Sequence, residues 1–202
     1  MFCSRGNQPE QLLSGCRPLQ EPLQYCDKGN EKHHRKDFFG DIQEFNKAIE
    51  INPYYGDAYV NRGNSKLKLK DYRGAIMDYS KAIELDSKDS MAYVNRGASR
   101  QFLNDFSGAM LDYTKAIEVD NSFEGAYKNR GLLKAKLKDY KGAVLDYTKA
   151  IELDSKDSDK FKMRGVFYMK LGEKEKGCMD FSRAGELGDI QAYELIKKYC
   201  TN

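Results

Sequence analysis

The heptapeptide DAYVNRG at residues 57–63 returns as MAYVNRG at residues 91–97 and as GAYKNRG at residues 125–131. An Asp–aromatic pair, a Gly-Ala step and a run of the form Asp-Tyr-x-Lys-Ala-Ile-Glu follow each copy. The residues 81–90 even recur letter for letter at residues 149–158. All of these recurrences are spaced by 34 residues or by twice that number, which is the period of a repeat built from two helices.

Small and aromatic residues within one copy recur at helical spacing. Tyr59 and Gly63 are four residues apart and so share one face of a helix. Ala75, Tyr79 and Ala82 form a second stripe of the same kind. A single two-helix copy cannot bury these stripes by itself, so neighbouring copies must stack. The pattern therefore predicts an all-α fold of stacked helical hairpins.

Gly63, Ala75, Tyr79 and Ala82 stand at positions eight, twenty, twenty-four and twenty-seven of a unit that begins at residue 56. This pattern closely resembles the tetratricopeptide repeat family. The resemblance implies a right-handed solenoid of antiparallel helix hairpins, with about five units between residues 22 and 191. The predicted segments are an irregular start at 1–21, the units 22–55, 56–89, 90–123, 124–157 and 158–191, and a capping helix with a tail at 192–202.

The balance of residue types narrows the classes of function. Of the 202 residues, 40% are hydrophobic and 32% are charged, which suits a thin solenoid whose helices each keep one wet face. The formal net charge is only +3, and acidic residues occur in every copy. That balance argues against nucleic acid as a partner. No apolar run is long enough to predict a transmembrane segment.

The cysteines bear on the compartment, and they are Cys3, Cys16, Cys26, Cys178 and Cys200. The three central copies contain none, so they do not depend on disulfides and a cytoplasmic location is predicted. The alternative is an exported or lipid-anchored scaffold, because residues 13–16 resemble the lipobox at which bacterial lipoproteins are cleaved and lipidated on the cysteine. Residues 5–11 upstream are polar, which argues against that alternative.

Cys178 and Cys200 form a candidate pair. Cys178 lies near the start of a predicted helix, and Cys200 lies near the end of the capping helix, which should run antiparallel to it. The hypothesis is a disulfide or a close thiol pair that locks the C-terminal cap. The alternative is two buried thiols, since cysteine is a common core residue.

No arrangement of residues predicts catalysis or metal binding. His33 and His34 are the only histidines, and adjacent residues on a helix point away from each other. The pair is interpreted as a solvated helix end, so neither a metal site nor an enzyme nor a cofactor is predicted. Asp41 falls where later copies carry alanine. Because a buried carboxylate loses solvation energy, the first unit is expected to be looser than the others.

The resemblance implies that the first helices of the units line a concave groove. Its positions, carried over residue by residue, hold asparagines and lysines, namely Asn61, Asn64, Asn95, Asn129, Lys128 and Lys162. Asparagine side chains can pair with the backbone of an extended peptide, and lysines favour an acidic ligand. Equally open is the interpretation that the asparagines stabilise the repeat and that the lysines are merely solvated.

The resulting hypothesis is a non-catalytic protein–protein interaction scaffold that holds an extended peptide or a helix of its partners in the groove. No small-molecule substrate is predicted. Some family members grip the C-terminal carboxylate of chaperones, but two positions that would carry charge hold Cys26 and Met91 here, which disfavours a co-chaperone function. A nucleic-acid-binding helical array, prompted by the groove lysines, is the remaining alternative.

Overall fold

A computed structural model describes residues 20–34 and 37–200 of the chain. Within those ranges the chain forms only α-helices and turns, which confirms the predicted all-α class. The helices are α1 (Gln20–His34), α2 (Phe38–Ile51), α3 (Gly56–Lys68), α4 (Tyr72–Leu85), α5 (Ser90–Phe102), α6 (Phe106–Val119), α7 (Glu124–Lys136), α8 (Tyr140–Leu153), α9 (Ser158–Lys170), α10 (Lys174–Glu186) and α11 (Ile190–Tyr199).

The chain divides into two compact units, Met1–Asp105 and Phe106–Asn202. Unit 1 contains α1 to α5, and unit 2 contains α6 to α11. In each unit, helices that follow one another along the chain pack side by side as hairpins. We call α1, α3, α5, α7 and α9 the first helices, and α2, α4, α6, α8 and α10 the second helices. The boundary between the units lies between the two helices of the predicted repeat 90–123.

Aspartate side chains cap the first turns of α4 and α8. The side chain of Asp71 accepts a hydrogen bond from the Gly74 amide at 2.9 Å, and Asp139 does the same for the Gly142 amide. Such a cap satisfies an amide that has no partner inside its own helix. Both aspartates belong to the Asp–aromatic pair that recurs in the sequence, so the cap recurs with the repeat.

Glycines in the first helices allow aromatic rings of the second helices to come close. A Cβ atom added at Gly63 would lie 2.8 Å from the ring of Tyr79, and one at Gly131 would lie 2.8 Å from the ring of Tyr147. Both rings are completely buried. These two hairpins are therefore each held by a ring that is packed on a bare backbone, and any residue larger than glycine would push their helices apart.

Candidate peptide-binding site

Two of the asparagines of unit 1 that the sequence singles out, Asn64 and Asn95, bond to each other. The amide oxygen of Asn64 accepts a hydrogen bond from the Tyr79 hydroxyl at 2.8 Å and another from the Asn95 amide at 3.1 Å. Burial raises the pKa of the Tyr79 hydroxyl above its ordinary range, so this group stays a donor. Asn61 is buried in α3. These contacts join α3, α4 and α5, and they occupy groups that a peptide backbone would otherwise use.

Two of the predicted residues of unit 2 are also engaged. The Asn129 amide donates to the Gly125 carbonyl one turn back at 2.9 Å. The Lys162 ammonium lies 2.7 Å from the Asp189 carboxylate and 3.2 Å from that of Asp159. Its hydrogen bond to Asp189 raises the pKa of Lys162, against a smaller opposing effect of burial. Lys162 therefore ties α9 to the start of the capping helix.

Lys128 differs from the other predicted site residues. It is half-buried on α7, and it has no ion-pair partner among the residues that the structure describes. Leu132 and Lys136 follow at intervals of four residues on the same face of α7. Leu132 is 36% exposed, and the Lys136 ammonium lies 4.5 Å from the centre of the Phe106 ring. The result is an apolar spot with a cation on either side.

Sequence reasoning missed a charged cluster that links successive hairpins. The Arg130 guanidinium donates twice to the Asp146 carboxylate, at 2.9 and 2.7 Å, and once to the Thr114 hydroxyl at 3.4 Å. The Lys134 ammonium also lies 2.8 Å from Asp146. One arginine on a first helix thus holds the second helix of its own hairpin and that of the preceding hairpin.

The same arrangement occurs at other copies. Arg62 contacts Asp78 and Asn46, and Arg164 contacts Asp180 and Thr148. Each partner is 16 residues before or after its arginine. That constant spacing was present in the sequence and was a usable signal for the cluster.

The interpretation of His33 as a solvated helix end is wrong, and the reason is Asp41. His33 Nδ1 lies 3.0 Å from Asp41 Oδ2, and the carboxylate itself is fully buried. The carboxylate is therefore shielded from solvent, and His33 supplies one of its hydrogen bonds. The Ser65 hydroxyl lies 3.4 Å from the same Nδ1 atom and donates to the Asn61 carbonyl. Because serine and aspartate meet one nitrogen, this trio cannot relay a proton as a catalytic triad does.

We expect Asp41→Ala to stabilise the chain by about 1 kcal/mol at neutral pH, because Asp41 Oδ1 is buried without a hydrogen-bond partner among the described residues. Burial raises the pKa of this carboxyl, and the nearby Ser65 and His33 lower it only in part. The folded chain therefore takes up a proton more readily than the unfolded chain. As the pH falls through that raised pKa towards 3.8, the wild type gains stability and the advantage of the variant shrinks.

Urea unfolding of both proteins at neutral and acidic pH measures this effect. Asp27→Ala, which removes an exposed carboxylate on the same hairpin, is the control and should change little at either pH. A variant that is less stable than the wild type at neutral pH would show that Asp41 contributes net stability.

Metal ligation finds no support in the part of the chain that the structure covers. Among residues 20–34 and 37–200, no three His, Cys, Asp or Glu side chains are grouped so that they could hold a metal ion. The side chain of His34 and the lipobox residue Cys16 lie outside the described residues.

The structure brings Cys178 and Cys200 together as a disulfide, with the two Cα atoms 5.7 Å apart. Cys178 lies in α10, and Cys200 directly follows α11. The bond encloses a loop of 22 residues and fastens the capping helix to the last hairpin. None of the helices described is both long and apolar enough to cross a lipid bilayer.

Comparison with known proteins shows which families and structures this chain is similar to. The tetratricopeptide repeat model matches residues 56–89 and 125–157. A search of curated protein sequences gave no match. Among solved structures, the MamA protein is similar at 21% identity and a TM-score of 0.73, over 91% of this chain and 97% of MamA.

Two further similar structures contain or describe a peptide site. YrrB, described as a tetratricopeptide repeat protein with an unusual peptide-binding site, is 19% identical with a TM-score of 0.70, over 89% of this chain and 93% of YrrB. The first such domain of Spaghetti (RPAP3), bound to the HSP90 peptide SRMEEVD, is 25% identical with a TM-score of 0.57, over 59% of this chain and 94% of that domain. Two segments of the chain thus match the tetratricopeptide repeat model, and the fold is similar to that of solved tetratricopeptide repeat proteins.

Proposed function

We propose that the chain is a non-catalytic protein-interaction scaffold that binds an acidic segment of a partner, extended or helical, on the first helices of unit 2. The observation that carries this proposal is the stripe of Lys128, Leu132 and Lys136 on α7, in which an apolar side chain lies between two cations. An acidic segment with an apolar residue between its carboxylates is complementary to that stripe.

The neighbouring first helix extends the same surface chemistry. On α9 the equivalent positions are Lys162, Val166 and Lys170, again with an apolar residue between two lysines. Lys162 is held by Asp159 and Asp189, whereas Lys170 is exposed. Unit 1 offers a different surface at these positions, since Val60 and Val94 are buried there. We therefore assign the acidic ligand to unit 2.

A selection from a random peptide library on the purified chain tests this proposal. We expect the selected peptides to be rich in Asp and Glu around an apolar residue, and we expect Lys128→Glu to weaken their binding by about tenfold or more, because it replaces an attraction with a repulsion. Fluorescence anisotropy with a labelled peptide measures the change.

Lys141→Glu is the matched control, because it makes the same change of charge at an exposed position of a second helix. Its binding should equal that of the wild type. The amidated and free-acid forms of SRMEEVD should show no difference in affinity, since the charged positions of a carboxylate grip are missing. Selected peptides without an acidic bias, or equal loss with both variants, would refute the proposal.

The pairing of Cys178 with Cys200 favours the exported scaffold over the cytoplasmic one, because structural disulfides persist in oxidising compartments. Alkylation of thiols during cell lysis, followed by mass spectrometry, distinguishes the two. A bonded pair supports export, and two alkylated thiols support the cytoplasm.

A further inference from the structure

Large apolar side chains stand exposed at one repeat position on every second helix of unit 2. Leu111 on α6 is 71% exposed, Leu145 on α8 is 70% exposed and Met179 on α10 is 71% exposed. The three residues are spaced by 34 along the chain. Met77 on α4 of unit 1 holds the equivalent position and is exposed to the same degree. Contact with water alone does not favour an apolar side chain, so its recurrence in successive copies indicates a contact with another molecule.

The second helices that carry these residues are neighbours. The Arg130 guanidinium reaches Thr114 on α6 and Asp146 on α8, and that of Arg164 reaches Thr148 on α8 and Asp180 on α10. Leu111, Leu145 and Met179 therefore form a column across three adjacent helices, which we call the apolar column. Single exposed apolar residues are ordinary on protein surfaces, but an aligned set is typical of an interaction site.

A column of basic residues runs beside the apolar column, one helical turn further along each helix. Its members are Lys115, Lys149 and Arg183. Each of them pairs with a glutamate three residues later, at 3.0, 3.0 and 2.7 Å. These ion pairs are exposed and so contribute little to stability. The cations can turn towards an anionic partner at small cost.

The size of the apolar column selects its occupant. A stable contact between two copies of a chain involves roughly 20 to 30 residues on each side, far more than three side chains supply. A single helix needs only a few apolar anchors on one face. One apolar stripe of a helix laid across α6, α8 and α10 would therefore meet all three members of the column.

We propose that the apolar column of unit 2 is a second docking surface, which binds an amphipathic helix of a partner protein with an apolar stripe on one face and acidic residues along one flank. The flanking carboxylates would lie against Lys115, Lys149 and Arg183. This surface is on the second helices, whereas the proposed peptide site is on the first helices, so the scaffold would hold two ligands on different helices.

Fluorescence anisotropy with a designed helical peptide tests this inference on the full chain. The probe is three heptads long, with leucines along one face and glutamate along one flank. We expect Leu145→Glu to raise the dissociation constant of the probe by about tenfold or more. Replacing an apolar anchor residue of an interface has effects of that order. Ile190→Glu is the matched control, because Ile190 is 80% exposed but lies outside the column. It should leave binding unchanged.

Further peptides and variants distinguish binding at this surface from the alternatives. A scrambled peptide and a peptide with lysine on the flank should both bind more weakly than the probe, and Lys128→Glu should have no effect. Equal binding by Leu145→Glu, or loss of binding by Lys128→Glu, would overturn the proposal, the latter because the probe would then occupy the first helices. A dimer in sedimentation experiments that disappears in Leu145→Glu would also overturn it, by assigning the column to a second copy of the chain. Circular dichroism confirms that each variant is folded.

Discussion

Arg130→Ala is expected to lower the free energy of unfolding by about 2 kcal/mol, because it leaves the buried Asp146 carboxylate with only the Lys134 ammonium as a charged partner. The guanidinium also reaches Thr114 on the preceding second helix and lies over the Tyr127 ring. Its loss thus weakens the contact between two hairpins as well as the contact within one. Urea unfolding followed by circular dichroism measures the change.

Two further variants show whether the loss of stability comes from the Asp146 carboxylate that has lost its arginine. Arg130→Met combined with Asp146→Leu removes both charges and should be more stable than Arg130→Ala, since a well-packed apolar pair can replace a buried ion pair. Lys149→Ala, which breaks the exposed pair with Glu152, should cost less than about 0.5 kcal/mol. If the double variant loses as much stability as Arg130→Ala, the Asp146 carboxylate is not the cause of the loss.

Reduction of the Cys178–Cys200 disulfide is expected to lower the free energy of unfolding by about 3 kcal/mol, because the bond closes a loop of 22 residues and so restricts the unfolded chain. Hydrogen exchange should rise first in α11, which the bond fastens to α10. Unfolding in urea with and without a reductant measures the difference.

The double variant Cys178→Ser with Cys200→Ser is the control for reduction. It should match the reduced wild type in stability, and the reductant should not change it further. If the reductant destabilises this variant as much as it destabilises the wild type, then another thiol is responsible for the effect.

Periodicity in the sequence predicted the helices well, because each copy has the same types of residue at the positions where helices pack. The pairing of Gly63 with Tyr79 and the caps at Asp71 and Asp139 follow from letters that recur, and the structure has them in place. A family pattern is a record of contacts that every copy makes. The fold was therefore the part that sequence reasoning could reach.

The candidate site was harder, because its residues depend on contacts that differ between copies. Asn64 bonds with Asn95, which is 31 residues away on another helix, and Lys162 bonds with Asp189, which lies beyond the last repeat. Neither separation along the sequence equals the repeat period. The role of His33 was hidden for a similar reason, since its partner Asp41 is an exception to the alanine pattern. Lys128 stands out only once the partners of the other residues are known.

The arginine bridge has a consequence at the level of the gene. Each arginine finds one partner 16 residues ahead, in its own repeat, and another 16 residues behind, in the previous repeat. A stretch of coding sequence one repeat long therefore encodes one arginine, its partner in the same repeat and the partner of the next arginine. Such a stretch can be duplicated or deleted without leaving an arginine unmatched.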